Sequence, residues 1–263
     1  MPNIQRFVPE GPHPDRVIGV VNPYDMALDR ELWRWMPDNV SLAVARTPHH
    51  PMVVDEIMAS ALGDDAEIRS TARCLTAVEP EAVVFACTSG SFVNGIEGAR
   101  RISAAIAEEV GAPAVTTSEA LLEALDALGV TRLAIATPYV ERLTARLEDF
   151  LAADGRTVVG TAGLGLDRLI WHVPYATTAE LVRRADRSDA EAVFVSCTNL
   201  PTFHIIAALE DELGKPVLTA NQVTAWAGLR RLGLPLVTED QRLSSAGPAA
   251  ARPQARPRDD GAP

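Results

Sequence analysis

The chain has 263 residues, 47% of them hydrophobic and 22% charged, and a formal net charge of −11 at pH 7. That is an ordinary soluble globular composition, with enough apolar material for one large core or two small ones. The negative balance argues against a nucleic-acid partner, which needs a basic face, but not against a small anion held by local fields in a cleft.

The first residues, "MPNIQRFVPEGPHPD", lack a basic segment followed by an apolar core, so they do not read as a signal peptide. No apolar run reaches membrane-spanning length, and no membrane partner is expected. Three cysteines without metal-type spacing fit neither a disulfide scaffold nor a zinc site, which points to a reducing, cytoplasmic setting with free thiols.

Three pairs of segments recur in the same order. "DRVIGVVNPY" from Asp15 matches "TRLAIATPY" from Thr131. "EAVVFACTSGS" from Glu81 matches "EAVFVSCTNLP" from Glu191, and "GAPAVTTSEALLEALDALGV" from Gly111 matches "GKPVLTANQVTAWAGLRRLGL" from Gly214. The chain therefore reads as two similar halves, each on the order of 110 residues.

Runs such as "VIGVV", "AVVFA", "LAIAT" and "AVFVS" are near-continuously apolar, as expected of parallel strands buried on both faces. Between them, "GIEGARRISAAIAEEVG" and "SEALLEALDALG" carry helical spacing and end in Gly. The expected fold is α/β, two pseudosymmetric domains with parallel sheets flanked by helices; if the two face each other about a pseudo-twofold axis, an active site lies in the cleft between them. We expect an N-terminal extension over 1–14, a first domain over 15–118 plus 216–240, a second over 119–215, and a disordered tail over 241–263.

Cys87 and Cys197 close two matched strands, where ligands of open parallel sheets bind. Thr88, Ser89 and Ser91 follow the first; Thr198 and Asn199 follow the second. Such a turn before a helix offers backbone N–H groups to a carboxylate, and its field is expected to lower a thiol pKa. A lone cysteine at a strand end is usually packing, but packing does not explain Cys-Thr twice in matched contexts. Opposed thiols suit proton removal and return on opposite faces of a carbon, or attack on an alkene from one side. Cys74 follows helical spacing and reads as structural.

Tyr24 and Tyr139 end the other matched pair and should reach the same cleft, where a phenol can donate to a carboxylate. Asn22 and Asp25 flank Tyr24 and are further ligand candidates. His49 and His50 have no third ligand at metal spacing, and a pairing of His204 with Cys197 is a weaker option. "GLGLD" at Gly163 lacks the dinucleotide fingerprint. Neither a metal nor a cofactor is expected.

These residues carry a family resemblance. "ACTSGSF" at Cys87, "ATPYVERL" around Tyr139, "SCTNLPT" at Cys197 and the stretch from Gly111 to Tyr139 resemble the aspartate/glutamate racemase superfamily, in the branch of maleate cis-trans isomerase and arylmalonate decarboxylase. The likeness runs from Arg16 to Pro235. It implies cofactor-independent chemistry with Cys87 and Cys197 as catalytic thiols. It also implies Thr88, Ser89, Tyr139 and the Thr198 backbone as carboxylate donors, and it leaves room for a homo-oligomer that the composition does not mark.

In the isomerase branch, a thiolate adds to maleate, the new single bond rotates, and elimination gives fumarate. The decarboxylase branch typically has Gly at the first cysteine position, so Cys87 argues against plain decarboxylation. The isomerase branch generally has a "PSSN"-like turn where this chain has "NPYD". Asp25 would repel a second substrate carboxylate and could instead hold an amino group.

The first reading is thus a two-cysteine isomerase of a small carboxylate. An amino-acid racemase is the main rival, favoured if Asp25 points into the cleft, whereas Asn22 contacting the carboxylate would favour the isomerase. An arylmalonate-type decarboxylase and a non-catalytic carboxylate-binding protein are further alternatives.

Overall fold

A computed structural model describes residues 16–50 and 52–246. The first half runs β1 (Arg16–Asn22), α1 (Asp29–Trp33), β2 (Val40–Arg46), α2 (Glu56–Ala61), α3 (Asp65–Arg73), β3 (Ala82–Phe85), α4 (Thr88–Phe92), α5 (Gly95–Val110), β4 (Ala114–Thr116) and α6 (Thr117–Leu128). The second runs β5 (Arg132–Tyr139), α7 (Glu141–Ala153), β6 (Thr157–Leu166), α8 (Tyr175–Ala185), β7 (Ala192–Val195), α9 (Ile206–Leu213), β8 (Val217–Thr219) and α10 (Ala220–Arg231).

The strands form two four-stranded sheets in the orders β2-β1-β3-β4 and β6-β5-β7-β8, with every pairing parallel. The three repeated segments supply β1 and β5, β3 and β7, and β4 and β8, which occupy equivalent places in the two sheets. Only the first edge strands, β2 and β6, lie outside the repeat. The fold is the expected pair of parallel α/β units.

Burial explains the apolar runs: every residue of β3 and of β7 is buried, as helices on both faces require. The helices carry their own start and stop signals. Thr116 and Glu119 close a reciprocal capping box at the start of α6, and Gly129 ends that helix in the left-handed conformation.

The halves are not simply consecutive. β8 pairs with β7 in the second sheet, although residues from 216 were expected with the first domain. The chain then returns, and α10 packs against α6, β3 and α1 of the first half. A Cβ at Gly228 would lie 3.1 Å from Val84 Cγ1 and 3.4 Å from Ile18 Cδ1, so the bare glycine lets α10 settle closely on the first sheet.

The expected tail from 241 needs correction at its start. Gln241 and Leu243 are buried, and Gln241 Oε1 accepts from Trp35 Nε1 and Gln222 Nε2, both at 2.8 Å. Two indispensable donors override the local composition, because an indole or amide N–H left unpaired in a core is costly. The expected extension over 1–14 and the rest of the tail, from 247, lie outside the described residues. Replacing Gln241 with Ala strands both donors and should cost about 3 kcal/mol of stability, read from the urea unfolding midpoint.

Candidate active site

The carboxyl ends of the sheets converge on one cavity. Cys87, Thr88 and Ser89 enter it from the turn after β3; Cys197, Thr198 and Asn199 enter from the turn after β7; Tyr139 comes from the end of β5. Pro23 and Asp25 from the β1–α1 turn complete the polar side. Val54, Met58, Leu62 and Ile170 form an apolar side that the sequence patterns did not single out, since loop and helix apolar residues carry no chemical signature. The cavity measures about 20 Å³, room for about one water. A substrate enters only if part of this lining moves.

The structure therefore brings together eight of the ten candidates, Cys87, Cys197, Asp25, Thr88, Ser89, Tyr139, Thr198 and Asn199. Asn22 and Tyr24 are not part of the wall. Asn22 is fully buried at the end of β1 with both side-chain amide atoms unpartnered, and the Tyr24 hydroxyl is likewise buried and unpartnered. The Tyr24 ring stands edge-on to His49, at 5.2 Å between centroids. Thr88 Oγ1 also lacks a partner, and unlike those two it borders the cavity. A buried hydroxyl with no partner is a donor waiting for one.

The two cysteine turns differ. After Cys87 the chain enters α4 directly, and Ser91 Oγ clamps the turn by donating to the carbonyls of Cys87 and Thr88, at 2.8 and 2.9 Å. After Cys197 the turn is longer: a short 3-10 helix over Phe203–Ile205 leads into α9, so the expected strand–turn–helix recurs at the second cysteine with its helix start displaced. Pro201 interrupts the segment, and the residues from 198 to 202 form an irregular turn.

Cys197 itself has φ of +86°, a conformation rare for a side-chain-bearing residue. It is held from several sides. Asn199 N donates to Cys197 Sγ at 3.3 Å, Thr198 Oγ1 donates to Ala86 O at 3.1 Å, and the Asn199 amide bridges to Ala27 N and Asp25 O.

Glu31 anchors the same loop, a role that its sequence context does not mark. Its buried carboxylate accepts from Thr202 N, Phe203 N and Tyr175 OH at one oxygen, and from Thr202 Oγ1 and Asn221 Nδ2 at the other, at 3.0 to 3.2 Å. Asn221 Nδ2 also donates to Thr198 O at 2.9 Å. In "DRELW" nothing distinguishes the one buried acid from its exposed neighbours.

Burial overturns the expected thiolates. Both Cys87 and Cys197 are pushed up to about 12, chiefly because the closed cavity strips water from the charged form, with the Asp25 carboxylate adding to the rise. Backbone N–H groups of Gly90, Asn199 and Leu200 and the Tyr139 hydroxyl work in the opposite direction and do not prevail. The Tyr139 hydroxyl is itself raised well above its ordinary value by burial and then by Cys197, so it remains a neutral donor.

Desolvation likewise raises Asp25, against its own backbone N–H, the Asn199 amide and Arg46. His204 stands against the rings of Tyr175 and Phe203, and the groups that act on Cys197 do not include it. Cys74 is exposed at the end of α3, not packed.

Two outcomes follow from this geometry. Because the thiols are neutral at pH 7, alkylation of Cys87 and Cys197 by iodoacetamide, mapped by peptide mass, should accelerate about tenfold per pH unit from 7 to 9 without levelling off. Glu31→Ala should lose at least about 3 kcal/mol in urea unfolding, with Glu31→Gln intermediate, since an amide turns donors toward donors.

Among the described residues, no group of three or more His, Cys, Asp or Glu could hold a metal ion, and no helix is long and apolar enough to cross a membrane. Compared with known proteins, residues 57–243 match the model of the arylmalonate decarboxylase family. Arylmalonate decarboxylase of Bordetella bronchiseptica is 34% identical over 178 residues, 65% of this chain and 74% of that one. A maleate isomerase of Nocardia farcinica is 31% identical over 165 residues, 60% of this chain and 66% of that one.

The fold also matches a cysteine-to-serine mutant of Nocardia farcinica maleate cis-trans isomerase with a covalently bound succinylcysteine intermediate. The TM-score is 0.79 and the identity 25%, covering 87% of this chain and 98% of that one. A crystal structure of arylmalonate decarboxylase matches with TM-score 0.75 and 26% identity, over 88% and 100% of the two chains. The chain belongs to the arylmalonate decarboxylase family, in the branch of the aspartate/glutamate racemase superfamily that its cysteine motifs resemble.

Proposed function

We propose that this protein is a cofactor-independent isomerase of a small carboxylate, acting in the manner of maleate cis-trans isomerase, with Cys87 and Cys197 as its catalytic thiols. The observation that carries the reading is the pair of thiols delivered into one cavity from equivalent strand ends of the two halves. Kinship with maleate isomerases and with a succinylcysteine-bearing neighbour supports the chemistry. Kinship with arylmalonate decarboxylase supports the scaffold equally well. A second thiol has no evident task in a simple decarboxylation, which needs one proton donor to the product carbanion.

In the proposed reaction one thiol first gives its proton to water as the substrate enters, and the resulting thiolate adds to a carbon of the cis alkene. A C–S bond forms, and the π electron pair passes to the neighbouring carbon and into its carbonyl group. Rotation about the resulting single bond follows; the pair then re-forms the alkene in the trans sense and expels the sulfur. Between addition and elimination, which regenerates the thiolate, no proton is gained or lost. The second thiol, kept neutral by burial, closes the opposite face to water. Thr88, Ser89, the Tyr139 hydroxyl and the Thr198 backbone serve as donors to the substrate carboxylate, and Asn199 holds the turn that carries Cys197.

An amino-acid racemase is the second reading, and Asp25 favours it: this carboxyl borders the cavity, whereas Asn22 does not. There the two thiols would act as opposed proton donor and acceptor at Cα, with Asp25 beside the amino group.

One experiment separates the readings. The protein is incubated in deuterium oxide with maleate and, separately, with a panel of amino acids and N-acyl amino acids, followed by proton NMR. Fumarate free of deuterium supports the isomerase; exchange at Cα without alkene isomerisation supports the racemase. Cys87→Ala and Cys197→Ala should each lower turnover by at least about 100-fold while leaving the unfolding midpoint near that of the parent. Full activity in either variant would sink the opposed-thiol mechanism.

A further inference from the structure

Among the described residues, no cation lines the cavity. Among its lining residues there is no Lys, Arg or His, and the one ionisable carboxyl is that of Asp25. Asp25 stands close enough for its charge to oppose ionisation of both Cys87 and Cys197. Arg46 acts on it, but Arg46 donates to Met26 O at 2.5 Å and pairs with Asp29 at 3.3 Å, outside the wall.

The same wall carries groups able to hold one carboxylate, the unpartnered Thr88 Oγ1 and the buried Tyr139 hydroxyl. A dicarboxylate in this space would set its second negative charge against Asp25 with no cation in the wall to offset it. In a closed, water-poor site that repulsion is weakly screened.

We infer that Asp25 determines the substrate class: the site takes a cis-alkene with one free carboxylate and, at its other end, an amide whose N–H donates to the Asp25 carboxylate. The inference rests on the isomerase reading above. Electron flow in the reaction is unchanged. Sulfur adds to the carbon β to the amide carbonyl, the π pair moves into that uncharged carbonyl, and elimination restores the alkene and the thiolate. An amide carbonyl accepts this pair more readily than a carboxylate that already bears a charge. The amide N–H thereby gives the Asp25 carboxylate a donor from the substrate, where a second carboxylate would give it a like charge.

The probes are maleamate and maleate, the monoamide and the diacid of one carbon skeleton, compared in the parent protein and in Asp25→Asn. We expect kcat/KM for maleamate to exceed that for maleate by about tenfold or more in the parent, and the preference to fall or reverse in Asp25→Asn. Binding of the saturated pair, succinamate and succinate, measured by calorimetry, reads the same preference without turnover.

If succinamate is preferred and the preference disappears in Asp25→Asn while neither alkene is isomerised, the isomerase reading fails and the assignment of Asp25 stands. If both proteins favour the diacid, or the substitution leaves both ratios unchanged, the assignment is overturned. It is also overturned if maleate is the better substrate and its kcat/KM falls as pH rises in the parent but not in Asp25→Asn. That pattern would mean a protonated Asp25, facing Cys87, Cys197, Tyr24 and Arg46, donates to a second carboxylate.

Discussion

Five hydrogen bonds converge on the carboxylate of Glu31, and the placement of the second cysteine depends on them. Glu31 belongs to α1 of the first half, yet most of its donors belong to the loop after β7 and to α10. A carboxylate buried this far from water is tolerable only when every nearby donor is turned toward it. It therefore fixes the relative position of the two halves and the path of the 198–203 loop in one stroke. The left-handed backbone at Cys197 persists under that constraint. Without it the loop would have little reason to keep Cys197 in the wall of the cavity that Cys87 also lines.

The closed cavity has a uniform electrostatic character. Burial drives Cys87, Cys197, Tyr139 and Asp25 toward their neutral forms, and no cation among the described residues borders the space to reverse the trend. Chemistry that needs a thiolate must therefore draw on backbone N–H groups and on the Tyr139 hydroxyl, which already counteract the penalty in part. An anionic substrate brings its own charge into the same low-dielectric space. Ionisation, substrate entry and opening of the apolar side formed by Val54, Met58, Leu62 and Ile170 are consequently parts of one event rather than independent steps.

Much of the architecture was legible because it was written twice. Repeated apolar runs ending in Pro-Tyr or Cys-Thr could be read as equivalent strands, and they are β1 and β5, β3 and β7. Edge strands β2 and β6 escaped that logic because an edge position tolerates exposed residues and diverges freely: β6 alternates buried and exposed residues where β7 is buried throughout. Local composition misled at Gln241, where a polar, Pro- and Ala-rich context hid a side chain that two core donors require. After Cys197 the match to Cys87 hid a difference in spacing, because the helical chain there begins only at Phe203.

Sequence alone determined the period of the strands, the twofold repeat, and the arrival of a cysteine and a polar turn at two equivalent strand ends, since these follow from local patterning and from the directional rule of parallel sheets. Only the tertiary structure decided that Asp25 borders the cavity while Asn22 and Tyr24 do not, that Glu31 is the acid turned inward, and that the thiols are raised rather than lowered. Each of those outcomes depends on how much water remains around a group and on which distant donors reach it. Hydration and long-range hydrogen bonding are set by packing between segments far apart in the chain, which no local pattern encodes.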